Sequence, residues 1–238
     1  MRRPIRYCWP ERFLPGKVPY QRVDLPNSYT QVRECHQHWN KAGHLGDVGE
    51  LLLDKFGPGI SVVDVGCGRG QLWPVLRGAV TSYVGVDNNP HFLEQARLDF
   101  PTIDFRLAAA QRLPAADGEF DVAVCCDVLM HVEDMVPVLA ELVRVARCGV
   151  VLRVRTGNPS LKARMVYDPE RDRLFKRLSG GYGFTYYNLL SRRTLRTLLQ
   201  RVGVTEFHMS GYAPPDADVC AKSLVSFEVP ACRKLSSL

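Results

Sequence analysis

The segment from Ser61 to Gly70 constrains the fold more than any other part of the chain. Apolar and β-branched residues precede Asp64, as in a central parallel strand that is covered on both faces. Glycine then occupies Gly66, Gly68 and Gly70, where a missing Cβ atom permits positive φ and close approach of a ligand. A helix is expected next, and its first amides are unpaired donors that attract an anion. The segment therefore predicts a nucleotide-like ligand at the end of this strand.

A second apolar segment, 82–86, is followed by another acidic residue, Asp87. In a βαβ unit this carboxylate lies beside the glycine turn and can accept hydrogen bonds from two ribose hydroxyls. Gln71 and Trp73 occupy the places that a third glycine would take in a dinucleotide-binding turn, and the chain has no P-loop sequence. The two segments together indicate a nucleoside cofactor without a pyrophosphate.

Strand-like and helix-like segments alternate along the middle of the chain, which predicts an α/β fold. We expect a doubly wound, mostly parallel, seven-stranded Rossmann-like sheet with helices on both faces and a small lid. Right-handed crossovers would place Asp64, Asp87 and Cys126 around one site. The predicted strands are 60–65, 82–87, 103–107, 120–126, 149–155, 204–212 and 221–229, and the predicted helices are 29–43, 47–56, 70–77, 90–99, 134–147 and 192–202.

The predicted domain organisation is a leading segment followed by one larger domain. Residues 1–44 begin with proline-rich, irregular chain and end in a lid helix, and residues 45–238 form the domain. Residues 157–187 interrupt the alternation after the fifth core strand, at the carboxyl edge of the predicted sheet. A lid over a bound substrate is expected at this place. Aromatic residues of these lid segments either form an acceptor pocket, with possible cation–π contacts, or simply pack; they are Trp39, Tyr182, Phe184, Tyr186 and Tyr187.

Composition argues against a membrane-spanning, an exported and a disulfide-bonded protein. Of 238 residues, 46% are hydrophobic and 24% are charged, which is ordinary for a globular domain. No apolar run approaches the ~20 residues of a membrane span, and the basic start is not followed by the apolar core of a signal peptide. The eight cysteines include no C-x-x-C pair, which favours reduced thiols over disulfides or a metal site. We therefore expect a cytoplasmic protein without a bound metal.

Basic residues are concentrated between Arg144 and Arg201, in a chain of net charge +6. Such a region could contact a phosphate- or carboxylate-bearing acceptor, or RNA. The alternative is that these residues only cover solvent-exposed helix faces. Nothing in the chain resembles an RNA-binding appendage such as an OB or KH module. Four of the basic residues fit one exposed helix: Arg192, Arg193, Arg196 and Arg201.

Three segments, in this order and spacing, resemble the motifs of class I S-adenosylmethionine-dependent methyltransferases. Asp64–Gly70 looks like their first motif, Val84–Asp87 looks like their ribose-binding strand, and Phe120–Val132 looks like their fourth strand and its following turn. The similarity runs from about residue 45 onward and is nearest to the small-molecule branch that includes quinone-biosynthesis enzymes. It implies an enzyme that transfers a methyl group from S-adenosylmethionine to an oxygen, nitrogen or carbon atom of a small acceptor. It also implies that the last strand is antiparallel.

The resemblance implies a role for each site residue. The glycine turn and the amides after it approach the methionine portion, and Asp64 orients the ammonium group. Asp87 binds the ribose, the Ala110 amide and Gln111 lie at the adenine, and the Cys126 carbonyl accepts from the ammonium. The side chain of Cys126 is better explained by packing. The cofactor-binding residues are thus Asp64, Gly66, Cys67, Gly68, Gly70, Asp87, Asn88, Ala110, Gln111 and Cys126.

Two positions depart from the family pattern. Ala109 stands where an aspartate usually contacts the adenine amino group, and Arg147-Cys148-Gly149 replaces a Pro-Gly-Gly turn. These departures leave open a non-catalytic, cofactor-binding scaffold subunit. An RNA (tRNA) methyltransferase of the same fold is the other alternative.

His131 is the main acid–base candidate, because it follows the fourth core strand and should face the acceptor. The sulfonium of the cofactor is already activated, so the protein chiefly aligns the acceptor and excludes water. A base is needed only when the acceptor atom carries a proton at neutral pH. The alternative is a histidine that caps a neighbouring loop. Other candidates are less well placed: His36, His38, Glu133 and Tyr187; His208 is expected to be structural.

Overall fold

The structure is a computed structural model that describes residues 21–23, 45–157, 160–166, 184–211 and 221–229. Its strands are β1 (Gln21–Val23), β2 (Ser61–Val65), β3 (Ser82–Asp87), β4 (Asp104–Leu107), β5 (Phe120–Cys126), β6 (Ala146–Thr156), β7 (Leu161–Val166), β8 (Phe184–Leu189), β9 (His208–Ser210) and β10 (Ala221–Glu228). Its helices are α1 (Gly46–Phe56), α2 (Trp73–Leu76), α3 (Pro90–Asp99), α4 (Val136–Val145) and α5 (Arg192–Arg201), with a 3-10 turn at Leu129–His131.

Within these ranges the central sheet has seven strands in the order β4-β3-β2-β5-β6-β10-β9. Strands β2 to β6 pair in parallel, and β10 is antiparallel to both β6 and β9. The chain moves outward from β2 through β3 to β4 and then returns to the other side of β2. This topology confirms the predicted fold and the antiparallel last strand. It brings the carboxyl ends of β3, β2 and β5 side by side at the switch point.

Alternate residues of the central strands enter two separate hydrophobic cores, as both faces of a parallel sheet are covered. Val62 on β2 and Val124 on β5 pack with α1, α2 and α3. Val63 and Ala123, one residue along each strand, pack with α4 and α5 on the opposite face. No helix in the described ranges combines the length and apolar character needed to cross a membrane.

Short sequence signals fix the helix boundaries. Asn89 caps α3, because its Oδ1 accepts from the amides of His91 and Phe92. Ser191 caps α5 by accepting from the Thr194 amide, as its sequence position predicts. Gly57 ends α1 with φ of 76°, which is easily adopted by glycine.

Four predicted elements are wrong in their extent. The helix expected over 134–147 is only Val136–Val145. The helix expected over 70–77 is only Trp73–Leu76, because the glycine turn continues to Leu72 through a hydrogen bond from the Trp73 amide to the Gly70 carbonyl. The strand expected over 204–212 is only His208–Ser210. Strand β6 begins at Ala146, so residues 147–149 lie in the strand and do not form a loop before it. The helix predicted over 29–43 lies outside the described residues.

The segment that interrupts the alternation contributes strands of its own. Strand β7 pairs with β8 in an antiparallel arrangement and with β1 in parallel, which gives a small second sheet in the order β1-β7-β8. Leu190, directly after β8, forms a bridge to Thr156 at the end of β6. The small sheet is therefore joined to the carboxyl edge of the central sheet, where the acceptor lid is predicted.

Replacement of Gly149 by alanine should destabilise the domain. A Cβ atom at this position would lie 2.5 Å from Cζ of Phe56 and 2.7 Å from the backbone oxygen of Phe227. Because that backbone oxygen belongs to the paired strand β10, we expect a loss of ~1–3 kcal/mol in the free energy of unfolding, as for other overpacked cores. Urea unfolding of Gly149→Ala measures the loss. Gly46→Ala is the matched variant, since nothing lies within 4 Å of the added atom, and equal midpoints for both variants would contradict the packing argument.

Candidate functional site

The glycine turn lies between the ends of β3 and β5. The amides of Gly66 and Cys67 both donate to the Val86 carbonyl, at 2.7 and 3.1 Å. Gly66 has φ of 79°, and a Cβ atom there would overlap the side chain of Val128, which follows β5. Glycine is therefore required at this position by both backbone conformation and packing. The turn keeps its backbone close to the carboxyl edge of the sheet.

Asp87 lies directly beside this turn. Its Oδ2 accepts from the Gly68 amide at 2.9 Å, and its Oδ1 accepts from the Asn89 amide at 2.8 Å. Burial raises the pKa of Asp87, while the backbone amides of Asn89, Gly68 and Asn88 act to lower it. The structure thus places the predicted ribose acid against the glycine turn, with a carboxylate that also organises the turn.

Asp64 is buried at the end of β2 with only 3% of its surface exposed. Its Oδ2 accepts from the hydroxyl of Tyr83 at 2.6 Å. Burial raises the pKa of Asp64 to about 7; Tyr83 lowers it, Asp87 raises it and Arg153 lowers it. A cation placed beside this carboxyl group would favour its ionised form and lower the pKa again.

A buried ion pair closes the end of β5. Asp127 has φ of 58°, in the left-handed region, and its Oδ2 lies 2.7 Å from Nη2 of Arg153. The Asp127 amide also donates to the Arg153 carbonyl at 2.9 Å. Arg153 is 3% exposed, and its Nη1 lies 3.7 Å from Oδ1 of Asp47 on α1. These contacts hold the turn after Cys126 in a conformation that is sparsely populated by residues other than glycine.

His131 ends the 3-10 turn that follows. Its Nδ1 lies 3.1 Å from the backbone oxygen of Tyr186 on β8. A carbonyl oxygen can only accept, so Nδ1 carries the hydrogen and Nε2 is the unprotonated nitrogen of the neutral ring. Burial lowers the pKa of His131, the hydrogen bond to Tyr186 and the charge of Asp127 raise it, and Arg155 lowers it. The ring can therefore act as a base near neutral pH.

The segment expected at the adenine begins where β4 ends. The Ala108 amide donates to the Asp87 carbonyl at 3.0 Å, which places this segment beside β3. Ala110 is half-buried, and Gln111, Ala109 and Asn88 are exposed. Their contacts with a cofactor stay predictions, as does the carbonyl contact of Cys126.

The cysteines of the core behave as small packing residues. Cys67, Cys125, Cys126 and Cys148 are free thiols, and burial raises the pKa of the first three. Within the described ranges no group of three or more His, Cys, Asp or Glu side chains could hold a metal ion. A side-chain role for Cys126 therefore has no support beyond packing.

Other predicted candidates lie elsewhere or outside the described part of the chain. Glu133 is exposed, and His208 is exposed on the edge strand β9. The side chain of Tyr186 is half-buried. Outside the described side chains are His36, His38, Trp39, Tyr182, Phe184 and Tyr187.

Several basic residues of the arginine-rich region are paired with carboxylates of the same domain. Arg144 contacts Glu141 and Asp117, and the Arg147 guanidinium contacts Asp121. The four arginines on α5, in contrast, are exposed, as expected for a solvent-facing helix surface. The basic residues between Arg144 and Arg201 therefore do not all belong to one continuous basic surface.

Sequence reasoning missed Tyr83, Asp127 and Arg153. Arg153 lies within the apolar run of β6, and a charge in a strand that is buried on both faces needs a partner. The presence of Arg153 in such a strand could have indicated an acidic partner at the end of the neighbouring strand β5. Asp127 immediately follows β5, the strand that pairs with β6. The Tyr83 contact had no comparable signal, because a tyrosine in a buried strand is ordinary.

The residues present fit an adenosyl cofactor that carries an ammonium group. Two carboxyl groups, Asp64 and Asp87, flank a turn whose glycine positions a Cβ atom would fill, and the turn presents backbone amides. The geometry matches the donor and acceptor groups that a ribose and an amino acid require. It offers no third glycine for a pyrophosphate.

Comparisons with known proteins identify the family. The sequence profile described as a methyltransferase domain matches residues 63–154. The ubiquinone biosynthesis O-methyltransferase of Hahella chejuensis is 32% identical over 159 residues, which cover 61% of this chain and 67% of that protein. The ubiquinone biosynthesis O-methyltransferase of Thiobacillus denitrificans is 28% identical over 190 residues, covering 74% of this chain and 82% of that protein.

Solved structures show the same fold. The magnesium protoporphyrin IX methyltransferase of Synechocystis PCC 6803, with bound SAH, matches with a TM-score of 0.57 and 17% identity, over 84% of this chain and 94% of that one. An S-adenosylmethionine-dependent methyltransferase of Mesorhizobium loti matches with a TM-score of 0.56 and 20% identity, over 80% of this chain and 99% of that one. Together with the glycine turn and Asp87, these similarities mean that the chain belongs to the class I S-adenosylmethionine-dependent methyltransferases.

Proposed function

We propose that this methyltransferase methylates a hydroxyl oxygen of a small-molecule acceptor, with His131 as the general base. The observation that carries the proposal is the hydrogen bond between Nδ1 of His131 and the Tyr186 carbonyl, because it leaves Nε2 as the basic nitrogen. The relatives from Hahella chejuensis and Thiobacillus denitrificans are named as O-methyltransferases of ubiquinone biosynthesis, which supports an oxygen acceptor. A hydroxyl oxygen is protonated at neutral pH, so it benefits from a base.

The cofactor would be held from both ends. When bound, S-adenosylmethionine supplies an electrophilic methyl group on a sulfonium. Asp87 and Asn88 would bind the ribose end, the Ala110 amide and Gln111 would lie at the adenine, and Asp64 would orient the ammonium. The Cys126 carbonyl is a second acceptor for that ammonium. The remaining contacts come from the turn residues Gly66, Cys67, Gly68 and Gly70.

The chain's own residues would supply proton transfer and alignment. The acceptor O–H bond breaks as its proton passes to Nε2 of His131, and the electron pair stays on the acceptor oxygen. The resulting imidazolium keeps its Nδ1–H hydrogen bond to the Tyr186 carbonyl and lies in the field of Asp127, which favours the charged ring. The rigid turn between Asp127 and His131 fixes the position of the base.

We infer that residues 45–238 form the catalytic domain, with residues 157–187 as the acceptor lid and residues 1–44 as a leading segment that contributes to it. The bridge between Thr156 and Leu190 supports the placement of the lid. Free thiols at Cys67, Cys125, Cys126 and Cys148 support a reducing compartment, and the cytoplasm is our proposal for its location. The exposed arginines of α5 alone support no second, nucleic-acid function.

The proposal is tested by incubating the protein with methyl-labelled S-adenosylmethionine and fractionated small molecules from a cell extract. Mass spectrometry then identifies the labelled product and the methylated atom. A methyl ether on a small molecule would support the proposal, whereas a methyl ester would contradict it, because a carboxylate is already deprotonated at neutral pH and needs no base. Label found only on RNA, or only on nitrogen or carbon atoms, would refute it, and cofactor binding without any product would indicate a scaffold subunit.

Replacement of Asp87 by alanine should weaken cofactor binding strongly. The loss of one or two charge-assisted hydrogen bonds, at ~1.5–3 kcal/mol each, corresponds to an affinity at least about tenfold lower. Isothermal titration calorimetry with S-adenosylhomocysteine measures this affinity. Asp104→Ala removes an exposed carboxylate at the amino end of β4 and should leave it unchanged. Equal affinities for the wild type and Asp87→Ala would exclude the ribose role.

Cofactor binding should release protons near pH 7, because the pKa of Asp64 is raised to about 7 and an adjacent ammonium favours the ionised carboxylate. The binding enthalpy of S-adenosylmethionine should therefore differ between phosphate and Tris buffers at pH 7. In Asp64→Asn, which cannot ionise, the difference attributable to this group should vanish. If the wild type and Asp64→Asn show the same buffer dependence, Asp64 does not contact the ammonium.

Turnover should fall as the pH is lowered through the pKa of His131, because only the neutral ring can accept a proton. Burial places this pKa below 6.5, so kcat/KM for the acceptor should stay level at neutral pH and fall only in more acidic solution. His131→Gln should lose roughly 100- to 10,000-fold in kcat and lose this acidic limb. His208→Gln, at an exposed edge position, should resemble the wild type. An unchanged pH profile in His131→Gln would remove His131 from catalysis.

A further inference from the structure

The side chain of Asn188 holds the 3-10 turn that carries His131. Asn188 lies on β8 and is 1% exposed. Its Nδ2 donates to the carbonyl of Leu129 at 3.1 Å and to the carbonyl of Val132 at 2.7 Å. Both partners are acceptors only, so the amide nitrogen and not the amide oxygen must face the turn. One side chain therefore binds the backbone on both sides of His131.

The same strand also binds the imidazole ring. Tyr186 and Asn188 are two positions apart on β8, and the Tyr186 carbonyl contacts Nδ1 of His131 at 3.1 Å. Three hydrogen bonds thus join one short stretch of β8 to the 3-10 turn Leu129–His131 and to Val132, the residue directly after it. Within the turn itself, the His131 amide donates to the Val128 carbonyl at 2.8 Å. The imidazole ring is therefore bound to β8 through Nδ1, while the His131 amide is bound within its own turn.

The cost of burying the Asn188 side chain supports a role in holding the turn. Its Oδ1 is buried and has no hydrogen-bond partner among the described residues. A buried, unsatisfied polar atom is costly, and such atoms in folded proteins call for a functional explanation. The same argument makes Asn188 difficult to replace, because its loss would leave the carbonyls of Leu129 and Val132 without this donor.

We propose that Asn188 is a positioning residue: by holding the backbone around His131 it keeps the ring against the Tyr186 carbonyl, which sets the tautomer, and it links the base to β8. Its effect on turnover rests on the proposed role of His131 as the base. Its effect on the ring does not, because the tautomer can be observed directly. Asn188 touches neither of the reacting groups in this account and acts only through the turn.

Long-range ¹H–¹⁵N NMR of the histidine rings tests the proposal above the pKa of His131. The His131 signals are assigned by their absence in His131→Gln. The wild-type ring should be protonated at Nδ1 only. In Asn188→Ala the ring should populate both tautomers, and kcat should fall roughly 10- to 100-fold, as for other misplaced catalytic groups, while the affinity for S-adenosylhomocysteine stays the same.

Thr156→Val is the matched variant. Thr156 is buried at the end of β6, bridges to Leu190 after β8, and makes a hydrogen bond from its Oγ1 to Oγ of Ser223 at 2.8 Å. Its replacement removes one buried hydrogen bond and should lower the thermal stability without changing the tautomer. If Asn188→Ala does not fold, Asn188→Ser keeps one donor and should show a partial shift of the tautomer.

The outcomes separate the two proposals. An unchanged Nδ1 tautomer in the folded Asn188 variant would overturn the positioning role, whatever the turnover of His131→Gln. A tautomer change equal to that in Thr156→Val would overturn it as well. If His131→Gln keeps full turnover, the general-base proposal fails, while a shifted tautomer in Asn188→Ala would still support the positioning role.

Discussion

The hydrogen bond from the Gly68 amide to the Asp87 carboxylate joins the two sequence motifs on which the site depends. It connects the turn after β2 to the end of β3 at 2.9 Å. The amides of Gly66 and Cys67 reinforce the connection by donating to the Val86 carbonyl. Because β2 lies between β3 and β5, the same turn also packs against Val128 after β5. A cofactor that contacts the turn is thus within reach of three strand ends.

Buried charged residues are the second feature that organises the carboxyl edge of the central sheet. Asp64, Asp127 and Arg153 all lie near the carboxyl ends of central strands, where burial is energetically unfavourable unless each charge has a partner. Tyr83 supplies the partner for Asp64, and Asp127 and Arg153 pair with each other. Such an arrangement adds little to stability compared with an apolar core. It is consistent with a site that binds the ammonium group of the cofactor and the methyl acceptor.

Much of the fold follows from short-range sequence patterns. Apolar β-branched runs fixed β2, β3 and β5 to within one residue, and Ser191 marked the start of α5 correctly. The glycine turn and Asp87 were also found, because parallel topology forces consecutive strand ends together. These features depend on local residues and on the right-handed crossover between parallel strands, so they can be predicted from a single sequence.

The remaining features depend on contacts between distant residues. The four-residue length of α2 reflects hydrogen bonds of the turn that no spacing reveals, and the early start of β6 reflects the pairing of Ala146 with Phe120 on β5. The bonds from Asn188 to the His131 turn join positions more than fifty residues apart. The sequence predicted His131 as the candidate base, but not the strand that orients it.

The most direct test is a crystal structure with bound S-adenosylhomocysteine. The central claim is that the turn at Gly66–Gly70 and the Asp87 carboxylate together bind an adenosyl group. We expect the ribose hydroxyls within hydrogen-bond distance of Asp87 and the amino-acid portion over the glycine turn near Asp64. A ligand bound elsewhere, with Asp87 contacting only Gly68 and Asn89, would contradict the account.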